Sequence, residues 1–349
     1  MKIMLVSLHF GPGHIAHLEA WNRLISLAGY KVAMFLDEKY LQYISCKKYN
    51  IYTKRGEIQL YKPDIVVLFN FGTQNVKFVN WCKKNNIKVI YILHEPYMGI
   101  KELVKDGSYI VKQTVACAMN NIICKNSTKV VLCSDYALQN CKRFMKSAYE
   151  KSVRFPLIFL DLYDPLCTEE RKYFSLIGTY ATSKGSDLFL KFIKQSFERD
   201  YDINFQIATR SNIEEKLNDE IFKKLIAQKK LIVYQGHPLT TNQINSAYRR
   251  SICCWNGYRR TTQSGVLPNA FMQGTPVVAT KLGSFKEFVI PDKTGEFINN
   301  QDVESIYTAY SKIKKNITSM SETCREEFIN NFFCDNQVKK IKEILESII

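Results

Sequence analysis

The sequence predicts an α/β protein built from two doubly wound parallel sheets, on three observations. Short apolar runs alternate with longer helical patterns along almost the whole chain. Several runs end in glycine-containing loops that open onto a helix, at Gly11-Pro12-Gly13, at Gly178 to Gly185, at Gly265 and at Gly283. One polar, aperiodic stretch containing Pro165 interrupts the alternation, at residues 161–171. A continuous apolar run followed by a helix is the pattern of a parallel strand and its crossover, because both faces of such a sheet are covered.

The elements follow in order. Residues 2–8 (KIMLVSL) form a first strand, ending in the loop from His9 to His14. The next helix carries Ile15, Leu18, Trp21 and Ile25 at helical spacing and stops at Gly29. Residues 31–36, 64–69, 88–93 and 129–133 are further strands, and 154–160 reads as the last strand of this half. Residues 74–84 and 101–120 are helical, and Ser134 is placed to cap a helix from Asp135. The second alternation has strands at 173–177, 204–208, 231–234, 251–255 and 276–280, with helices at 214–227 and 241–248 among them. Helices at 302–315, 321–332 and 336–349 close the chain. The expected division is a first domain over 1–160, a linker over 161–171, and a second domain over 172–334. The last helix, from about 335 to 349, is expected to pack back on the first domain.

Composition narrows the class. With 349 residues, 46% of them hydrophobic, the chain can fill two cores. No apolar run approaches the roughly 18–20 residues of a membrane span, and the N-terminal run reads as a strand rather than a signal peptide. The 11 cysteines include no Cys-x-x-Cys and sit mostly in apolar runs, which points to free buried thiols in a reducing cytosol. The net charge of +16 favours anionic partners: phosphorylated substrates or an anionic membrane surface rather than nucleic acid. Lys142, Arg143, Lys146, Lys151 and Arg154, interleaved with Phe144, Met145, Ala148 and Tyr149, read as a basic amphipathic helix for such a surface. His14 and His17 are three apart on a helix, but no carboxylate joins them at metal-ligand spacing. Asp200-Tyr201-Asp202 falls between a helix and a strand, so no metal site is expected.

The most informative stretch runs from Asn256 to Gly295. Ser264-Gly265 sits where a helix should begin, Val266 to Met272 forms its body, and Gly274 stops it. Pro268 fits the first turn, whose N–H groups have no intrahelical partner. After the 276–280 strand, Lys281-Leu282-Gly283-Ser284 leads to a second helix start carrying Glu287. Helix starts in glycine loops present unpaired donors and partial positive charge, which suits a phosphate.

This order resembles the donor-binding segment of the GT-B glycosyltransferases, specifically family 4. That family shows a Glu-x7-Glu segment, then a Gly-x-Pro-Val-Val strand, then a Gly-Gly-x-x-Glu loop. Anchoring on Gly274 and Pro276 puts the two carboxylate positions at Thr261 and Asn269, so both are replaced. Gly283 and Glu287 fit the later loop, with Ser284 for its second glycine, and Thr262-Gln263-Ser264-Gly265-Val266 is similar to a variant within the family. The resemblance implies two Rossmann-like domains facing a cleft, a UDP- or GDP-sugar donor, and retention of configuration.

It also assigns roles. His94, at the end of a strand and before Glu95-Pro96, would contact the donor sugar as the catalytic residue. Gly11, Gly13 and His14 would approach donor phosphate and acceptor. Of the family's Gly-Arg-x4-Lys-Gly pattern, Gly178 and Lys184 match and Thr179 stands for the Arg, so Lys184 is the expected diphosphate cation. Arg210, or Arg259 and Arg260, would supply the missing charge. Thr262, Gln263, Ser264, Gly265 and Val266 would line the donor loop, while Thr179, Arg210, Asn269 and Glu287 would serve the nucleotide. No cofactor or metal is expected to be required. The acceptor is expected to be a saccharide or a lipid-linked saccharide, in bacterial surface polysaccharide assembly. The protein would be cytoplasmic, with peripheral contact to the inner face of the membrane. The alternatives are a non-catalytic GT-B partner subunit and a nucleotide-sugar 2-epimerase.

Overall fold

The computed structural model describes residues 1–97, 99, 110–167, 169–299 and 302–348. The chain forms two compact units: residues 1–160 with 331–349, and residues 161–330.

The first unit is a seven-stranded parallel sheet in the order β3-β2-β1-β4-β5-β6-β7. Its strands are β1 (Lys2–Ser7), β2 (Lys31–Leu36), β3 (Ile51–Tyr52), β4 (Ile65–Leu68), β5 (Lys88–Ile92), β6 (Lys129–Leu132) and β7 (Ser152–Arg154). The helices between them are α1 (Ile15–Leu27), α2 (Arg55–Tyr61), α3 (Thr73–Lys84), α4 (Ile110–Asn126), α5 (Asp135–Phe144) and α6 (Lys146–Tyr149). Register is direct, with Ile3 opposite Val32 on one side and Ile65 on the other. Met4, Val6, Val66, Leu68 and Tyr91 share one buried face with Phe35 and Phe78. Ser134 caps α5 as expected, accepting from the Ala137 N–H at 3.0 Å.

The second unit repeats the plan with six parallel strands in the order β10-β9-β8-β11-β12-β13. These are β8 (Tyr173–Ile177), β9 (Asn204–Ala208), β10 (Leu231–Tyr234), β11 (Ser251–Asn256), β12 (Val277–Thr280) and β13 (Gly295–Ile298). The helices are α7 (Ser186–Glu198), α8 (Glu220–Ala227), α9 (Thr241–Arg249), α10 (Val266–Met272), α11 (Phe285–Phe288), α12 (Val303–Lys315) and α13 (Ile317–Asn331). Phe174 of β8 is the hub of its core, with Phe189, Phe192, Trp255 and Tyr310 ring centroids 5.1–6.1 Å away. Burying each such ring contributes roughly 2–3 kcal/mol before packing is counted.

The last helix, α14 (Val338–Glu346), lies in the first unit. Arg23 of α1 holds Asp335 through two bonds of 2.6 and 2.5 Å, and Phe159 pairs with Phe333 in an isolated bridge.

Four expectations change. Residues 154–160 are not a strand: pairing stops at Arg154, because Pro156 has no N–H to give to a ladder. The 214–227 helix is split, since Asp219 accepts from the Ile221 N–H at 3.0 Å and caps a new helix. The basic stretch at 142–154 is not one helix; it breaks at Met145 and ends in β7, with Met145 and Ala148 buried. Lys151 there spends its ammonium on the Lys125 and Ser127 carbonyls, at 2.7 and 2.9 Å, closing the end of α4. The 161–171 stretch packs on the second unit, where Asp161 pairs with Arg325 and Arg171 donates to the Ser251 and Gln273 carbonyls. Of the helix expected over 101–120, residues 101–109 lie outside the described residues.

Candidate functional site

In each sheet the winding reverses beside one strand, between β1 and β4 in the first and between β8 and β11 in the second. Ligands of such sheets collect outside the carboxyl ends of the strands at that point. The predicted site residues fall on loops and helix starts that follow these strands, in two groups.

In the first unit the loop after β1 is held by polar side chains the sequence reading passed over. The Tyr40 hydroxyl accepts from the Gly11 N–H at 3.0 Å, meets Ser7 Oγ at 2.9 Å, and donates to the His9 carbonyl at 3.1 Å. Asn70, just past β4 with φ +56°, donates to the same carbonyl at 2.9 Å and to Ser7 Oγ at 3.0 Å. An Asn two residues past a strand, with a glycine two residues further on, is the residue type that tolerates a left-handed turn. With the loop fixed, α1 starts at Ile15 and His14 and His17 lie one turn apart.

His94, beyond β5, reaches this helix. Its ring stacks on His14 at a centroid distance of 5.3 Å and an angle of 17°, and lies 6.1 Å from His17. His17 is 7% exposed, rests edge-on against Phe159, and has Nδ1 3.1 Å from the Ile158 carbonyl. Facing a carbonyl, Nδ1 must carry the proton, which leaves Nε2 as the acceptor. Burial pushes the His17 imidazole down to about 4, with His14 adding repulsion. Burial also lowers His14, and it takes His94 well below the usual range, helped by both neighbours. His94 is partly exposed as a residue, yet its Nε2 is shut off from solvent. The three imidazoles are therefore neutral near pH 7. His14 and His94 stack and His17 is tilted to them, and among the described residues no group of three or more His, Cys, Asp or Glu is placed to hold a metal ion.

In the second unit the loops are held by backbone. Gly178, at the end of β8 with φ +113°, sits where a Cβ would lie 3.4 Å from Val266 at the start of α10. At Gly185, φ +64°, a Cβ would collide with the Gly257 carbonyl, and at Gly283, φ +54°, with the Thr261 carbonyl. Three glycine loops thus close on one another. Arg259 ties the first two with bonds of 2.6 and 2.7 Å to Asp187 and one of 2.6 Å to the Thr182 carbonyl. Burial alone would raise the Asp187 carboxyl, but the Arg259 bonds bring it below the usual range. Lys184 lies over the Tyr258 ring, 5.7 Å from its centroid, and the Tyr258 hydroxyl meets Ser264 Oγ at 3.0 Å.

The other expected site residues are placed as follows. Arg259 locks loops together through the bonds just given. Of the Ser264, Gly265 and Val266 amides, that of Val266 is taken by Ser264 Oγ at 3.2 Å. Thr262 is 4% exposed, so its side chain belongs to the interior. Asn269 donates to the Gly265 carbonyl at 2.7 Å, one turn back on its own helix. Thr261 Oγ1 donates to the Gln263 carbonyl at 2.8 Å, so the two positions of the absent carboxylates brace the loop. Arg210 is exposed after β9, Thr179 sits between the Gly178 N–H bonded to Ala208 and the Tyr180 N–H bonded to Ser211 Oγ, and Glu287 is half-buried on α11. Gly13 has open space around it.

Residues 171–316, the body of this second unit, match the family model described as glycosyl transferases group 1. The chain carries a glycosyltransferase domain. Among solved structures it is similar over 99% of its length to sucrose-phosphate synthase from Thermosynechococcus elongatus, at 15% identity, a TM-score of 0.78 and 98% coverage of that chain. HepE of Anabaena, solved with UDP and glucose, aligns at 13% identity and TM-score 0.72, covering 99% of this transferase and 100% of that chain. The lipopolysaccharide outer core galactosyltransferase WaaB aligns at 11% identity and TM-score 0.66, with 100% of both chains covered. These likenesses show the fold, two Rossmann-like domains of the GT-B type. No curated protein matches the sequence.

Proposed function

We propose that this transferase moves a sugar from a UDP- or GDP-sugar to a hydroxyl of a saccharide or lipid-linked saccharide. In this reading it works by the retaining chemistry of family 4, in bacterial surface polysaccharide assembly at the cytoplasmic side of the membrane. The observation that carries the reading is the mutual packing of the Gly178–Gly185, Gly257–Val266 and Gly283 loops at the winding reversal of a domain that matches a glycosyltransferase family. Such backbone loops suit a diphosphate, since they bring N–H groups close without a side chain in the way. HepE, solved with UDP and glucose, supports the donor class, and the outer core galactosyltransferase supports the setting.

Lys184 and the Ser264 and Gly265 amides would stabilise the charge that develops as the nucleoside diphosphate leaves. Fixed donors do this without reorganising at the moment of reaction. Tyr258 keeps the Lys184 ammonium over its ring, and the Arg259–Asp187 pair holds the loop that carries Lys184. His94, kept neutral and stacked on His14, is assigned to the sugar as a hydrogen-bonding group rather than a charged one. The chemistry needs no metal or cofactor in this reading.

Thermal-shift titration with UDP, GDP and their sugars tests the donor, since a ligand bound only by the folded state raises Tm by mass action. One nucleotide should stabilise the chain, and Lys184→Ala should weaken it about tenfold, the range of one charge-assisted bond. No shift with any nucleotide would sink the reading. The replaced carboxylates at Thr261 and Asn269 favour one rival, a subunit that binds without turnover; release of nucleoside diphosphate from the stabilising donor separates the two.

A further inference from the structure

Helix α4 is apolar on two opposite sides. Its inner side is ordinary: Ala116, Asn120, Ile123 and Cys124 are buried, with Asn120 taking the Tyr91 hydroxyl at 2.7 Å. Its outer side carries Val111, Val115, Ala118 and Ile122, all exposed, the three larger ones at 78%, 52% and 44%. At roughly 100° per residue these four fall within an arc of about 60°. A surface helix places polar residues there, because an aliphatic stripe gains nothing from water.

The surroundings of the stripe are basic. Helix α3 packs along α4, tied by Asn126 to Asn80 at 3.1 Å, and α6 packs beside its other flank. Exposed Lys77, Lys83, Lys84, Lys125 and Lys146 lie on these three helices, whose sequences contain no Asp or Glu. The first unit as a whole holds 26 Lys and Arg against 13 Asp and Glu, whereas the second holds 23 against 20. Protein interfaces are depleted in lysine and anchored by aromatic rings, and the exposed residues of α3, α4 and α6 include no aromatic. Lysines around a short aliphatic strip instead match an anionic bilayer. The strip enters the acyl boundary, and each ammonium reaches a headgroup from its flexible stem.

We infer that the outer face of α4, with the lysines of α3 and α6, is the surface by which this protein docks on an anionic membrane. The surface shares only Lys146 with the 142–154 stretch singled out in the sequence and is centred on α4 instead. It gives the lipid-linked acceptor reading a place of attachment, and its test does not require turnover. The full chain is sedimented with vesicles of phosphatidylcholine alone or with phosphatidylglycerol added, at low and high salt. Binding should need phosphatidylglycerol and fall with salt. Lys83→Glu with Lys84→Glu should weaken it about thirtyfold or more, each lysine contributing about fivefold at such a surface. Val115→Glu with Ile122→Glu should weaken it at least tenfold. Both variants should keep the wild-type circular dichroism and the wild-type nucleotide response, which separates this inference from the donor assignment. Since the lysines are exposed, their variant stays readable if the apolar variant misfolds. Wild-type chain that ignores phosphatidylglycerol vesicles, or variants that bind them undiminished, would overturn the inference. A dimer in solution that Val115→Glu dissociates would overturn it too, by giving the stripe to a second copy.

Discussion

The two units wind their sheets the same way and place loops at the same reversal point, but they furnish those loops oppositely. The first unit presents side chains: a hydroxyl and an amide fix the β1 loop, and three imidazoles cluster beside it, two of them stacked. The second presents backbone, with glycines at the places where any side chain would strike a neighbouring carbonyl. Four of the five histidines lie in the first unit, and the closest glycine contacts lie in the second. One topology thus supports two kinds of binding surface. Side-chain loops can be retuned residue by residue, whereas backbone loops depend on what is missing at a few positions.

The largest expected effect follows from that dependence. Gly185→Ala places a Cβ against the Gly257 carbonyl at a left-handed φ, and should cost roughly 4 kcal/mol of stability from strain and overpacking together. Urea unfolding measures it, and nucleotide stabilisation should vanish with it. Gly13→Ala, in open space in the first unit, should change stability by less than about 0.5 kcal/mol. Equal responses would erase the distinction between the two kinds of loop.

Acid should separate the units next. The folded His17 value lies near 4, below the ordinary 6.5, so the unfolded chain binds the proton more readily. Stability is full above about pH 6.5 and is lost as pH falls from there toward 4, by on the order of 3 kcal/mol from His17 alone. The lowered His14 and His94 act in the same direction. Hydrogen exchange at pH 4.5 should therefore show the first unit opening before the second, and His17→Phe should narrow the gap.

The smallest effect concerns the tie between loops. Arg259→Ala removes a half-exposed bidentate pair and should cost under about 1 kcal/mol of stability. It should nonetheless weaken nucleotide binding several-fold, because the loop carrying Lys184 loses its brace. Loss of stability without loss of binding would make the pair a surface ornament of the fold.

The alternation of strands and helices was legible because parallel strands are continuous apolar runs and each crossover has helical spacing. Three short strands escaped it: β3 has two residues and β7 three, too few for a period to show, and the four of β13 include a glycine and a glutamate. The Asp219 cap and Pro156 were in plain view, yet the helix-forming residues around the first and the apolar run around the second outweighed them. At the site, the glycines were readable because their need is local. Tyr40 was not, since its hydroxyl reaches Gly11 from 29 residues away in a stretch with no pattern of its own. The partners of Arg259 and Asn269 were hidden for the same reason: a sequence gives a charge or an amide but not what it touches.

The first unit is closed by the last residues of the chain. Arg23 finds Asp335, and Phe159 bonds through its backbone to Phe332 and Cys334. During synthesis, α1 waits for partners at residues 332–335, while the second unit has its whole sequence in hand sooner. The first unit is thus sealed only after every residue of the second has been made, so the order of maturation runs against the order of the codons.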